Sequence, residues 1–322
     1  MNYIGSKGAL APFILSSASL FAGTLHEKTV CDLFGGTGSV AEAFGLTCKT
    51  LIANDVEPYS ALWLHQRLCG VATDEALLEQ LRQASCEGVV CEHFSPLGEA
   101  KRGYFTPENA RKIDGARELV AAWEKTLAPE QTKALLASLL EGADRVANTT
   151  SVYGSYLKHT KFTATQPLNL RALPASGLTN ATVHNREGLA LLQEVEGDIL
   201  YLDPPYNHRQ YGLNYHVLNA IAHNEARGIK GKSGFGDYYR SKWCQKRAVE
   251  EELRATLKTA SFRYILMSYN DEGLLDAKRI RSIFEAFGRY DCVSRAHQRL
   301  RTSKKSPKKE TLETLHLLEK EG

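Results

Sequence analysis

The chain has 322 residues, 43% of them hydrophobic and 24% charged. That is the profile of a folded protein with a sizeable core, and it excludes a stapled peptide, a fibre or a disordered segment. Lysine and arginine number 40 against 37 aspartate and glutamate, and a formal charge of +3 is too small by itself to announce a nucleic-acid partner.

In chain order, residues 29–34 read as a strand that runs into Gly35-Gly36-Thr37-Gly38 and then a helix over 39–44. A second strand, 50–53, ends in Asn54-Asp55-Val56-Glu57, and Pro58 opens a helix over 59–68. Amphipathic stretches at 74–84, 108–127 and 130–146 predict a mostly helical insertion, followed by a polar, aromatic stretch at 148–161. The α/β pattern resumes with a strand at 181–184, a helix at 188–193 and an apolar strand at 199–202 that leads into Asp203-Pro204-Pro205-Tyr206. A further strand, 264–268, precedes a tail whose alternation suits a hairpin around 303–309. No apolar run reaches the roughly 18 residues of a membrane span, and no leader-like start is visible, so neither membrane nor export is expected. Seven scattered cysteines without a CxxC pair fit a reducing cytoplasm and predict neither a disulfide framework nor a metal site.

Three groups of residues carry chemistry. Glycines after a strand let a ligand approach the backbone, and an acid about twenty residues on, closing the next strand, is placed to accept bonds from ribose hydroxyls. Asp55 stands at that distance from Gly36. The turn is shorter than a dinucleotide fingerprint and has no Walker lysine, so a nucleoside without phosphates is the better ligand. A glycine turn alone is often only structural punctuation; the pairing with Asp55 tilts the reading to adenosine.

The second group is Asp203-Pro204-Pro205-Tyr206. Consecutive prolines have fixed φ and donate no N–H, so they hold the Pro204 carbonyl rigidly beside the Asp203 carboxylate. Two acceptors and an aromatic face suit an amino group on a planar ring, the conjugated amine of adenine for example. No metal is required if the electrophile is a methyl sulfonium. The bland alternative is a rigid turn with an incidental acid.

The third is a set of cations. Arg227, Lys230, Lys232, Arg240, Lys242, Lys246 and Arg247 surround the aromatic loop 228–243, whose only acid is Asp237, and residues 289–309 hold eight Lys or Arg, among them Arg299, Arg301, Lys304 and Lys305, against Asp291 alone. A charge run is commonly a solvated face, but beside a nucleobase site it reads as a phosphate-binding footprint.

The order Tyr3-Ile4-Gly5-Ser6-Lys7, Asp32-Leu33-Phe34-Gly35-Gly36-Thr37-Gly38, Asn54-Asp55 and Asp203-Pro204-Pro205-Tyr206 resembles the D12 class of DNA adenine-N6 methyltransferases, to which Dam-type enzymes belong. Tyr215-His216 and Ser268-Tyr269-Asn270 extend the likeness over nearly the whole chain. The resemblance implies an α/β fold with a Rossmann-like sheet for S-adenosylmethionine and a helical target-recognition insertion, in the arrangement called the alpha group. The catalytic domain would be discontinuous, 1–70 and 181–322, with the insertion at 71–180. Asp32, Phe34, Gly36 and Gly38 would line the cofactor, Asp55 its ribose, Glu187 its adenine, and Tyr3 and Lys7 its methionine end. Asp203, Pro204, Pro205 and Tyr206 would hold a flipped target adenine. Asn207, Arg209, Gln210 and Tyr211 would order the turn on DNA, with Lys230, Lys232, Lys242 and the tail cations on its backbone.

The resemblance therefore implies methyl transfer to adenine N6 in double-stranded DNA, in a restriction-modification system with a cognate endonuclease. Cytosine N4 or an RNA adenine would fit the same turn, although for cytosine N4 serine would be expected in place of Asp203. A catalytically silent DNA-binding scaffold and a nicotinamide oxidoreductase are the remaining readings.

Overall fold

The computed structural model describes residues 7–298 and 310–321. Among them seven strands form one sheet: β1 (Thr29–Asp32), β2 (Thr50–Asn54), β3 (Ala181–His184), β4 (Glu196–Leu202), β5 (Ser261–Asn270), β6 (Gly288–Gln298) and β7 (Glu310–Lys320). Their order is β3-β2-β1-β4-β5-β7-β6. The first five run parallel, and β7 lies antiparallel between β5 and β6. The central strands are short apolar runs because both of their faces are covered: Val30, Cys31, Leu200 and Leu202 are all fully buried. β1 pairs with β2 on one side and β4 on the other. The chain therefore reverses direction across the sheet at this point, and a crevice opens beyond the strand ends.

Helices α1 (Ala11–Ala22), α2 (Ser39–Gly45) and α3 (Pro58–Cys69) bring apolar residues to one face of the sheet, in a core with Val30, Tyr201 and Leu266. The helical insertion follows as α4 (Glu75–Gln83), α5 (Val89–Phe94), α6 (Pro107–Trp123) and α7 (Pro129–Val146). Proline opens α3, α6 and α7, where its missing N–H costs nothing, and the side chains of Asp74 and Thr106 cap α4 and α6. After β3 come α8 (Gly188–Leu192), α9 (Tyr211–Asn214), α10 (His216–His223), α11 (Val249–Thr259) and α12 (Ala277–Glu285). Of these, α8, α11 and α12 cover the opposite face, around Leu200, Ile265 and Met267.

The insertion has its own core, and that core is not built from the insertion alone. Leu78, Phe94, Ile113, Leu139 and Leu140 pack with Tyr59 and Trp63 of α3 and with Tyr215, Leu218 and Ile221 around α10. The segment that follows the Asp203–Tyr206 turn thus shares the insertion's apolar interior. Among the described residues no helix is long and apolar enough to cross a membrane.

Several elements extend beyond what the sequence predicts. β4 begins at Glu196 and β5 runs from Ser261 to Asn270, because pairing with neighbours adds residues whose own pattern is polar. α5, α11 and α12 carry no expectation from the sequence pattern. β6 and β7 pair along their whole lengths, while the turn predicted at 303–309 lies outside the described residues.

Candidate active site

At the carboxyl ends of β1, β2 and β4 lies a cleft of about 1090 Å³, walled by the glycine turn, Asp55, Glu57, Glu187 and the Asp203–Tyr206 turn. The glycine turn is tied down from below. Gly35 N donates to Asn54 O at 2.7 Å, Gly38 N to Gly35 O at 2.8 Å, and Gly36 N to Asp55 Oδ2 at 2.9 Å. Gly36 and Gly38 adopt φ of +53° and +75°, a region that favours glycine. A Cβ on Gly35 would stand 2.6 Å from Leu64 Cδ2. Asn54, on which the sequence pattern places no role, stitches three strand ends together: its Nδ2 donates to Leu33 O and Arg186 O, and its Oδ1 accepts from Arg186 N.

Asp55 does more than face the cleft. Oδ2 accepts from Gly36 N and lies 2.8 Å from Ser60 Oγ, and Oδ1 accepts from Glu57 N at 2.9 Å. Burial pushes its carboxyl above the ordinary value, and these bonds oppose the rise. Glu187 likewise caps α8, its Oε2 accepting from Ala190 N at 2.9 Å, while Tyr239 Oη donates to its Oε1 at 3.5 Å. Both acids line the cleft with part of their acceptor capacity already used.

Asp32, at the end of β1, is 1% exposed, and its Oδ1 has no hydrogen-bond partner among the described residues. Burial, then the charge of Asp203, pushes its carboxyl up to about 8. A buried orphan acceptor in a cleft wall fits a ligand carrying donors or positive charge. S-adenosylmethionine has both, in its ammonium and its sulfonium. Phe34 offers an apolar wall, set edge-on against Trp243 with ring centroids 5.6 Å apart. The residues present therefore fit the nucleoside and the methionyl end of that cofactor.

On the other side of the switch point stands the Asp203–Tyr206 turn. Lys7 Nζ donates to Glu313 Oε1 at 2.7 Å and lies 3.6 Å from Asp203 Oδ1. It also sits 5.5 Å from the centre of the Tyr206 ring. Burial pushes the Asp203 carboxyl up to about 7 despite the opposing charge of Lys7. Burial works against the Lys7 ammonium, but Asp203 and Glu313 outweigh it and hold the ammonium above its ordinary value. The Tyr206 ring lies edge-on to that of Tyr269 with centroids 6.1 Å apart, and its carbonyl accepts from Leu274 N at 2.9 Å. The residue lines the cleft.

The structure gathers Lys7, Asp32, Phe34, Gly36, Asp55, Glu187, Asp203, Pro204, Pro205, Tyr206, Gln210 and Tyr211 around one cleft. Gly38 stands just behind it as the first turn of α2 begins. Lys7, which the resemblance places at the methionine end of the cofactor, stands beside the Asp203 carboxylate. Gln210 is occupied: its Nε2 donates to Ser241 O at 3.1 Å and its Oε1 accepts from Ser241 N at 2.8 Å. It clamps the cationic loop to the segment that follows the Asp203–Tyr206 turn. Asn207 orders the turn by accepting from Arg209 N, and Tyr211 stacks on Tyr215. Arg209, Lys230, Lys232 and Lys242 are exposed. Tyr3, Arg299, Arg301, Lys304 and Lys305 lie outside the described residues.

Three residues of the site escape the sequence reading. Glu313 is an acid in the apolar alternation of β7, and that misplaced charge is its only local signal. Trp243 and Glu57 line the cleft. Burial pushes the Glu57 carboxyl up to about 7.

With this geometry in view, residues 3–283 match the family described as D12 class N6 adenine-specific DNA methyltransferase, and the chain belongs to that family. It is 42% identical to the type II methyltransferase M.NlaIII of Neisseria lactamica over 99% of each chain. It is 33% identical to the type II methyltransferase M.CviAII of Paramecium bursaria Chlorella virus 1, over 94% of this chain and 93% of that one. Against the type II methyltransferase M.FokI of Planomicrobium okeanokoites the identity is 36%, over 80% of this chain and 42% of the other. S-adenosylmethionine is the cofactor of this enzyme class.

Proposed function

We propose that this chain methylates N6 of an adenine within a specific sequence of double-stranded DNA, turning the base out of the helix into the cleft. We further propose that it works in the cytoplasm alongside a cognate restriction endonuclease. The observation that carries the reading is Asp203, its side chain 17% exposed, set with the Tyr206 ring in the wall of the same cleft that the glycine turn lines.

N6 is occupied by pairing inside a duplex, so the base must leave the stack to react. Asp203 Oδ and the Pro204 carbonyl then each accept one N6–H, which leaves the nitrogen lone pair free, while the Tyr206 ring takes the base face. When bound, S-adenosylmethionine supplies an electrophilic methyl group on a cationic sulfur. Asp32 and Asp55 orient it, Phe34 and Trp243 exclude water on one flank, and Asp203 takes the proton that N6 loses. Positioning of this kind contributes much of the rate of a direct transfer.

DNA approach is supported by the loop that contains Tyr239, Ser241 and Trp243. These residues line the cleft, and the same loop carries the exposed Lys230, Lys232, Arg240 and Lys242, cations suited to phosphates. The test is incubation with labelled cofactor and unmethylated DNA, digestion to nucleosides and chromatography. Label is expected in N6-methyladenine; label only in N4-methylcytosine, or in no DNA product, sinks the proposal. Sequencing that detects modified bases in DNA from expressing cells should find one short motif methylated. Scattered modification would remove the sequence-specific part.

A further inference from the structure

Behind the catalytic turn one ammonium serves two carboxylates. Lys7 Nζ makes a hydrogen bond with Glu313 at 2.7 Å but stands 3.6 Å from Asp203, beyond hydrogen-bond length. The side chains are 8%, 7% and 17% exposed, so the three charges interact with little screening. Lys7, Asp203 and Tyr206 line the cleft, and Glu313 does not. Its place is set by the sheet: it sits opposite Asn270 of β5 and Arg295 of β6.

We infer that Glu313 is a positioning residue for the methyl transfer: by drawing the Lys7 ammonium toward β7, it leaves the Asp203 carboxylate unquenched as the acceptor of the N6 proton. Were Lys7 paired with Asp203 alone, the carboxylate would be a weaker base and a weaker hydrogen-bond acceptor. The electrostatics agree in direction, since Asp203 is raised by burial, lowered by Lys7 and raised again by Glu313. The other charged or titratable groups facing this cluster are Asp32 on β1, Tyr201 on β4, and Tyr206 and Tyr211 beyond it. Arg295 faces Glu313 across the ladder but is exposed, with its guanidinium 5.9 Å from the Phe13 ring centre. Lys7 is thus the cation in contact with both acids.

The inference rests on the methyl-transfer reading. It is tested with the full chain by measuring the single-turnover rate of duplex DNA methylation against pH for the parent, Glu313→Gln and Glu313→Asp. Removing a neighbouring negative charge lowers the carboxyl's pKa. The acid limb of Glu313→Gln is therefore expected at lower pH by about half a unit or more, with a plateau rate roughly tenfold below the parent. Dissociation constants for duplex DNA and S-adenosylhomocysteine should stay within about threefold, since Glu313 does not line the cleft. Glu313→Asp keeps the charge on a shorter arm, and its limb should move in the same direction but less far. If Glu313→Gln shows no melting transition, Glu313→Asp alone carries the comparison. A limb coincident with the parent's in either folded variant, or ligand affinities that fall in step with the rate, overturns the inference. An active parent with an unmoved limb leaves the methyl-transfer reading standing, whereas a parent that methylates no DNA overturns both.

Discussion

Glu57 Oε2 accepts a hydrogen bond from Asn219 Nδ2 at 2.6 Å, and Asn219 Oδ1 accepts in turn from Tyr59 N at 3.2 Å. Glu57 lines the cleft just after β2, and Asn219 rides on α10, whose apolar face is buried in the core of the helical insertion. A polar clasp therefore joins the reaction site to the insertion at a place where both partners are largely out of water.

Truncating Asn219 leaves a buried carboxyl and an amide nitrogen without their partners. Asn219→Ala should lower unfolding stability by about 1–3 kcal/mol, the usual cost of an unsatisfied buried group. Urea denaturation measures it, and a midpoint indistinguishable from the parent's contradicts the clasp.

The buried Asp32 carboxyl has a signature in pH. Its folded carboxyl titrates near 8, far above the unfolded value of roughly 3.9. Between those values the folded state holds a proton that the unfolded state has released, so this contribution is present at low pH and lost as pH rises through about 8. The buried histidines, His216 and His316, are pushed down to about 4 by burial and act with the opposite sign, but only below roughly pH 6.5. From pH 6.5 to 8.5 the melting temperature of the ligand-free parent should therefore fall, and Asp32→Asn should flatten that slope. Parallel slopes in the two proteins would count against a protonated Asp32.

Gln210 holds the cationic loop against the catalytic turn by two bonds to the Ser241 backbone. Gln210→Ala frees the loop, so the dissociation constant for duplex DNA should rise several-fold, about 1–2 kcal/mol for two net hydrogen bonds, with S-adenosylhomocysteine affinity retained. Fluorescence anisotropy and calorimetry separate these. Weakening of both together would mean that the cleft itself had collapsed.

Lys230 and Lys232 stand exposed on that loop, whose backbone is pinned by Arg102 donating to Gly231 O and Lys232 O. Replacing both with alanine should weaken binding to all DNA sequences alike and reduce the slope of log affinity against log salt by about two. An unchanged salt slope places the phosphates elsewhere.

Much of the cofactor side and the catalytic turn is legible in the sequence because its chemistry is local. The glycine turn, the Asp55 that closes the next strand and the two prolines after Asp203 each impose a backbone shape within a few residues. Glu313 is illegible for the opposite reason: its partner Lys7 lies 306 positions away, and only the insertion of β7 between β5 and β6 brings them together. The same limit applies to α10, which by chain order belongs with the catalytic half but whose Leu218 and Ile221 find their apolar partners in the insertion. Gln210 shows a subtler limit. A polar residue beside a catalytic turn reads as a ligand contact until its amide is found spent on Ser241.

Because β7 occupies an interior place in the sheet, the Lys7–Glu313 contact forms only when that strand is seated between β5 and β6. With β7 unpaired, Lys7 has Asp203 as the one acid of the two beside it. Closing the sheet and completing the charge cluster are thereby a single event.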